Sequence, residues 1–353
     1  MLESLIETYG EGPLLLGAGA LVGILFGAAA QRSRFCLRAA TVEVAEGYLG
    51  PRLAIWLIAF TTAVCAVQCL IAFNWLDVSE SRQLATTGSL SGAIVGGLMF
   101  GVGMILARGC ASRLLVLSAT GNLRAIVTGL VLTLVAQSAL RGALAPPREA
   151  LAQVWTIPGG SARDILDQFG VGAGTATIFA VLTLCAALFF GHRRGLAYNH
   201  ILAGVGVGLA VALGWQLTYL VAVNSFDVIA ISSVTFTGPS TDTLMGLVNS
   251  RQLPLDFGVG LVPGVFVGAG LTAAIRGEAK IQRFGEDTPM ERYLIGAALM
   301  GFGGMLAGGC AVGAGMSGGA IFALTAWVAV ASMWIGAMLT HRVTLYQGRA
   351  QSA

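Results

Sequence analysis

Charge is what this chain has least of. Only 10% of its 353 residues are Asp, Glu, Lys or Arg, against about 25% in an ordinary soluble domain, which excludes a solvated globular fold. Histidine is almost missing: His192, His200 and His341 lie near loops or span ends, far in sequence from the glycine-rich breaks described below. Their placement removes the usual base for a hydrolase or a thiol nucleophile. No C-x-x-C occurs. The nearest pair, Cys65 and Cys69, is spaced C-x-x-x-C in an apolar run with no acid or base alongside, which argues against a membrane thiol oxidoreductase. With no basic tract and no interleaved aromatic face, nucleic acid is excluded as a partner, and no motif calls for a cofactor or a resident metal. The opening MLESLIETYGEG is acidic where an export signal is basic, so the first apolar run is expected to remain as a span.

What is present is apolar length. Hydrophobic residues make up 56% of the chain and the mean hydropathy is +0.81. Stretches of about 20 apolar residues fall at 13–31, 53–73, 88–107, 123–140, 172–190, 200–223, 256–275, 293–307 and 319–340. The expected fold is an all-α integral membrane protein of about nine transmembrane helices plus short re-entrant or broken helices, one transmembrane domain over 1–353. Arg32, Arg34, Arg38 and Arg52 follow the first span, Arg108, Arg113 and Arg124 surround the third connection, and Arg193, Arg194, Arg276, Lys280, Arg283 and Arg292 fall in loops of the same side if spans alternate. The other side holds Glu3, Glu7, Glu11, Asp77, Glu80, Asp227 and Asp242. The positive-inside rule then puts the N-terminus outside and the C-terminus, with Arg342 and Arg349, inside. The outer loop carrying Arg141, Arg148 and Arg163 is long and balanced by Glu149, Asp164 and Asp167, so it weighs less.

The chain repeats itself. GGLMFGVGMILARGCA (96–111) and GAALMGFGGMLAGGCA (296–311) align at a separation of 200 residues and share the tail Leu-Ala-x-Gly-Cys-Ala. A fainter echo links GAGALVGILFG (17–27) to GVGVGLAVALG (204–214). Halves of roughly 13–140 and 200–340, joined by a connector at 141–199, start five spans apart, and an odd offset inverts one against the other. Such inverted repeats place transport sites near the midplane on discontinuous helices. Backbone freed by a break must line protein or a wet cavity, because lipid satisfies none of its hydrogen bonds.

Three cysteines end apolar spans: Cys36 in QRSRFCLR, Cys110 in LARGCASR and Cys310 in LAGGCAVGAG, the last two directly after Gly109 and Gly309. Two readings stand for them, close helix packing by small residues and a ligand site where backbone N–H groups are freed. Cys65, Cys69 and Cys185 sit inside uninterrupted runs and read as packing residues. After Cys310 the start of the ninth span is expected close by, and a helix N-terminus favours an anion; Ser112 and Ser317 would add hydroxyl donors. A buried neutral thiol offers a weak S–H donor on a soft, polarisable surface, suited to a soft anion. A rival cargo is a soft metal such as Cu(I), with Met99, Met104, Met300, Met305 and Met316 nearby, although no methionine repeat or cysteine chelate supports it.

Arg-Phe-Cys after a first glycine-rich span, followed by two Gly-Cys breaks, resembles the YeeE/YedE family of bacterial inner-membrane thiosulfate transporters over nearly the whole chain. That resemblance implies an hourglass of inverted halves and a thiosulfate path in which Cys310, Cys110 and Cys36 pass the anion along by S–H···S hydrogen bonds. It implies a second-half loop, 224–250 with its SSVTFTGPSTDTLMGL, dipping into the membrane, and a separate TusA-like sulfurtransferase as cytoplasmic acceptor. Some relatives are tied to selenium, so a selenium analogue stays open as cargo. The second half has no cysteine where Cys36 would map. Glu43, seven residues after Cys36, reads as a proton carrier, as a partner for a nearby arginine, or as an interfacial charge. Arg38, with Arg32 and Arg34, would gather anions at an inner mouth.

Overall fold

Apolar runs without interior charge become helices, because a chain in lipid must satisfy its backbone within itself. The computed structural model describes residues 2–249, 254–284 and 290–352; Ser250 of the predicted dipping loop lies outside these, as do the side chains of Glu3 and Arg349. The helices that frame the molecule are α1 (Glu11–Ser33), α2 (Leu37–Ala45), α3 (Pro51–Ala72), α4 (Leu90–Leu106), α5 (Ala111–Ala119) and α6 (Leu123–Arg141), then α7 (Ala173–Arg193), α8 (Tyr198–Val223), α9 (Thr237–Asn249), α10 (Phe257–Ile275), α11 (Met290–Leu306) and α12 (Leu324–Ser352). Among the described residues eight helical stretches are long and apolar enough to cross a membrane, with α1–α2 and α4–α5 each taken as one. The remaining predicted span is α11, which at 17 residues is about 26 Å long, just short of a 30 Å hydrocarbon core. Among the described residues, paired strand is confined to a two-residue antiparallel ladder, Gly88–Ser89 with Thr156–Ile157.

Glycine lets these helices touch backbone to backbone, which is how association proceeds where lipid removes the hydrophobic drive. Helices α4 and α11, the two stretches that resemble each other in sequence, cross antiparallel. A Cβ on Gly96 would lie 2.6 Å from the Gly303 carbonyl oxygen and one on Gly303 would lie 2.7 Å from that of Gly96; Gly103 and Gly296 meet in the same way, at 2.5 and 2.7 Å. Such exchanged contacts are of the kind two bodies related by a two-fold axis make. The neighbours follow suit. Gly101 of α4 meets Met333 and Ala337 of α12, while Gly301 of α11 meets Leu132 and Ala136 of α6. Helices α1 and α10 run parallel, with Gly19 against Phe257 and Gly27 against Val265, as do α3 and α8, with Gly204 against Ile58 and Gly208 against Ala59.

After Cys310 the chain does not enter the ninth span at 319 as expected. It winds as a π-turn over Gly313–Gly318, turns at Phe322 with φ of 53°, and begins α12 only at Leu324. The glycines that let 313–319 adopt this tight path also delay the long helix, so the N-terminus nearest Cys310 belongs to the short turn.

Of the predicted dipping loop, Phe226 and Val228 are fully exposed, Ile231 to Phe236 enter the protein, and Thr237–Asn249 form α9. Val234 and Phe236 are buried, Ser317 donates its hydroxyl to the Val234 carbonyl at 2.6 Å, and Thr218 donates to that of Ser232 at 2.6 Å. Phe236 packs on Phe26 at 5.2 Å between ring centroids, and Phe26 reaches Phe35, beside Cys36, at 6.4 Å.

Candidate functional site

Cys36, Cys110 and Cys310 share one local structure. In each case a long helix ends in a left-handed residue two positions before the cysteine: Arg34 at φ of 54°, Arg108 at 55° and Gly308 at 79°. The next N–H closes the helix by bonding five residues back, Phe35 to Ala30 at 3.2 Å, Gly109 to Met104 at 3.1 Å and Gly309 to Gly304 at 2.9 Å, the Schellman arrangement. The cysteine carbonyl then opens a new helical turn by accepting from Ala40, Leu114 and Ala314, at 3.3, 2.9 and 2.8 Å. Each thiol therefore stands at a helical N-cap position. The backbone N–H three residues on approaches the sulfur: Ala39 for Cys36, Arg113 for Cys110, and Gly313 at 3.5 Å for Cys310.

This corrects the role expected of the glycines. The N–H groups of Gly109 and Gly309 are spent closing the preceding helix, so the donors aimed at each sulfur come from the turn that follows. It also corrects the hydroxyls. Ser112 lies 3.4 Å from the Cys110 sulfur, whereas the Ser317 proton is committed to Val234.

Cys110 and Cys310 are each 1% exposed and Cys36 is half-buried. The Cys36 and Cys110 thiols face one another, with the Arg113 guanidinium close to both. Cys36 opens on a cavity of about 450 Å³ whose wall includes Arg34, Arg38, Arg52, Arg108 and Arg113. The Nε of Arg38 and an Nη of Arg113 are buried there without a partner. Unpaired guanidinium N–H groups beside a cavity are costly unless an anion or water meets them. Glu278 and Gln282 close the wall on one side; Arg276, donating at 3.0 Å, and then Gln31, at 2.9 Å, hold the Glu278 carboxyl below the usual carboxylate value.

A second polar cavity, of about 250 Å³, lies at the opposite end of α4, between Gly88 and Ser89 before that helix and Leu306, Gly308 and Gly313 around the third break. Its wall includes Arg82, Arg148 and Arg163. From the sequence Arg163 bears only on orientation, and weakly. In the structure it is 6% exposed, donates to the carbonyl of Thr86 at 2.6 Å and to the Thr325 hydroxyl at 2.7 Å, and keeps its Nε buried and unpartnered. The only hint in the sequence was an arginine in a loop rich in small residues, GGSAR, too common a pattern to act on.

Thr235, from the dipping segment, presses on Gly313: a Cβ there would lie 2.2 Å from its hydroxyl oxygen. Gly313 thus has to be glycine for the segment to reach the third cysteine. Thr237, 1% exposed, also has no partner for its hydroxyl.

Among the described residues Glu43 makes no side-chain bond to an arginine. Its carboxylate accepts from the backbone N–H of Arg52 at 3.1 Å and of Leu53 at 2.9 Å, capping α3 behind Pro51, where a negative charge complements the helix dipole. Cys65, Cys69 and Cys185 neighbour one another on α3 and α7 and line neither polar cavity; Cys69 borders an apolar groove of about 850 Å³ between α1, α3 and α8. No group of three or more His, Cys, Asp and Glu side chains among the described residues is placed to hold a metal ion. Met104, Met300 and Met316 are each 0% exposed, packed in the core.

Comparison with known proteins agrees with a transport role. The chain is 29% identical over 333 residues to the thiosulfate transporter TsuA of Spirochaeta thermophila, covering 89% of this chain and 94% of the relative. It is 25% identical over 342 residues to the thiosulfate transporter TsuA of Escherichia coli, covering 90% and 92%. These relatives are transporters by name, and the protein is a multi-pass membrane transporter, not an enzyme. The sequence profile for sulphur transport matches residues 32–339, and the chain belongs to that family.

Proposed function

We propose that this protein imports thiosulfate across the bacterial cytoplasmic membrane, along Cys310, Cys110 and Cys36. The observation that carries the reading is the same helix, Schellman closure and N-cap cysteine at all three positions. The arginines at both ends of α4 support it, because a dianion must be drawn to each mouth. Guanidinium forks suit the oxygens of thiosulfate, while its terminal sulfur accepts the S–H of a thiol. Between the mouths the anion meets helical N-termini and thiols, with Arg113 beside Cys36 and Cys110 the nearest formal charge, which allows release as well as binding. No covalent step is needed.

The positive-inside rule assigns the Cys36 mouth to the cytoplasm and the Arg163 mouth to the periplasm, with the N-terminus periplasmic and the C-terminus cytoplasmic. Halves at roughly 13–140 and 200–340, inverted about the crossing of Gly96 and Gly103 with Gly303 and Gly296, would bring the second and third cysteine breaks in from opposite faces. A separate TusA-like sulfurtransferase would receive the sulfur at the inner mouth.

The reading is tested by growth. Cells stripped of other sulfur uptake and given only thiosulfate should grow with this protein and fail without it, whereas copper supplementation should change nothing. Growth on thiosulfate that is indifferent to the protein would overturn the assignment.

Arg108 supplies a sharper check. A non-glycine residue in the left-handed region costs roughly 1 kcal/mol, and the corresponding Gly308 avoids that cost. Arg108→Gly should therefore raise the unfolding temperature slightly and yet lower thiosulfate uptake several-fold. Uptake that rose with stability would remove the arginine from the inner mouth.

A further inference from the structure

The inner cavity is walled by five guanidinium groups, and Glu278 is the one carboxylate among its described lining residues. That carboxylate is held in place by the fold. Gly277 turns the chain at the end of α10 with φ of 66°, and the following strap is sewn to the turn after α5. Lys280 donates to the Thr120 carbonyl at 3.1 Å, Gln282 to that of Gly121 at 2.9 Å, and Leu123 donates back to Gln282 at 3.1 Å. The Gln282 side chain accepts from Asn122. Gln31, on the last turn of α1, then donates to one Glu278 oxygen at 2.9 Å, and Arg276, which is not among the cavity-lining residues, donates to the other at 3.0 Å. The acid is thus fixed at the edge of the arginine ring without being consumed by any of its members, two of which keep buried N–H groups unpaired.

A ring of guanidiniums alone would be a trap. A site that conducts must bind strongly enough to admit the ion and weakly enough to let it go, and charges a few ångströms apart interact by enough to change an affinity many-fold even at a surface-like dielectric. We infer that Glu278 is a tethered counter-anion of the inner mouth, which repels the arriving dianion and speeds its departure to the cytoplasm. It acts through the field at the mouth, as a positioning residue set against the arginines, and the inference rests on thiosulfate being the cargo.

The test uses the purified full-length chain in liposomes, with initial thiosulfate uptake measured against concentration for the wild type, Glu278→Gln and Glu278→Ala. Glutamine loses the charge and keeps one carbonyl oxygen in place of two, so it can still accept from Arg276 or from Gln31. Both variants should lower the KM by about three- to tenfold and the maximal rate by a similar factor, with their ratio little changed, because a step after binding has become slower. Thiosulfate preloaded inside should also inhibit Glu278→Gln at correspondingly lower concentration. If glutamine leaves both constants at wild-type values while alanine lowers only the rate, Glu278 merely anchors the strap and the inference fails. Failure of the wild type itself to take up thiosulfate would sink the functional reading and this inference with it, an outcome distinct from equal behaviour of wild type and Glu278→Gln.

Discussion

Cys110→Ser and Cys310→Ser should each lower thiosulfate uptake by about tenfold or more while leaving the protein folded. Both side chains are 1% exposed and both stand at N-cap positions, where serine is a better cap than cysteine, so the short turns after them should form at least as well. What serine removes is the polarisable S–H presented to a terminal sulfur. Losing a matched partner at a buried site costs about 1–3 kcal/mol, and tenfold corresponds to about 1.4 kcal/mol. Cys36→Ser should show a smaller loss, since Cys36 opens on the arginine-lined cavity and the anion has other ligands there. Unfolding temperature in detergent and uptake by the same preparations check the two halves of the prediction. If the serine variants transported as well as the wild type, the path would be a plain anion pore and the thiols mere packing.

Gly96→Ala should lower stability substantially. Its Cβ would lie 2.6 Å from both the Ala307 nitrogen and the Gly303 carbonyl oxygen, atoms of a facing helix backbone that cannot rotate away. The crossing of α4 and α11 must open, at a cost of about 1–3 kcal/mol. Gly303→Ala, on the partner strip, should match it. Gly129→Ala in α6 is the control: nothing lies within 4 Å of its added Cβ, and helix propensity alone favours alanine by up to about 1 kcal/mol. Thermal unfolding of the three variants should therefore move down, down and slightly up. Equal shifts for Gly96 and Gly129 would mean that the α4–α11 contact is not a stability determinant.

The spans were legible because apolar length is nearly the whole signal for a membrane helix. The stretch at 200–223 became α8, Tyr198–Val223, and that at 123–140 became α6, Leu123–Arg141. Cysteine context also carried through, with the three break cysteines separated from the three in uninterrupted runs. The turns themselves were half hidden. Gly308 advertises a left-handed residue, but Arg34 and Arg108 adopt the same conformation under side chains that announce only charge. The start of α12 was misplaced because AVGAGMSGGA is apolar enough to continue a span, and only its tertiary contact with Thr235 shows why it winds tightly instead. Glu43 and Ser317 were expected near the anion because they lie close to Cys36 and Cys310 in sequence. Their bonds instead run to α3 and to the dipping segment, long-range choices that spacing does not encode. Arg163 was missed for the converse reason, since a loop arginine 147 residues from Cys310 gives no local sign that it turns inward to the same break.

We propose that a sulfur-bearing dianion is selected by thiols at three helix starts. The most direct test is uptake of radiolabelled thiosulfate into liposomes that contain this protein alone, with sulfate as the competing anion. Sulfate matches thiosulfate in charge and differs by one oxygen in place of the terminal sulfur, so only a sulfur-reading path separates them. Uptake of thiosulfate should be barely inhibited by a large excess of sulfate and should fall about tenfold or more in Cys310→Ser. Equal competition by sulfate, with uptake that survives the serine substitution, would contradict it.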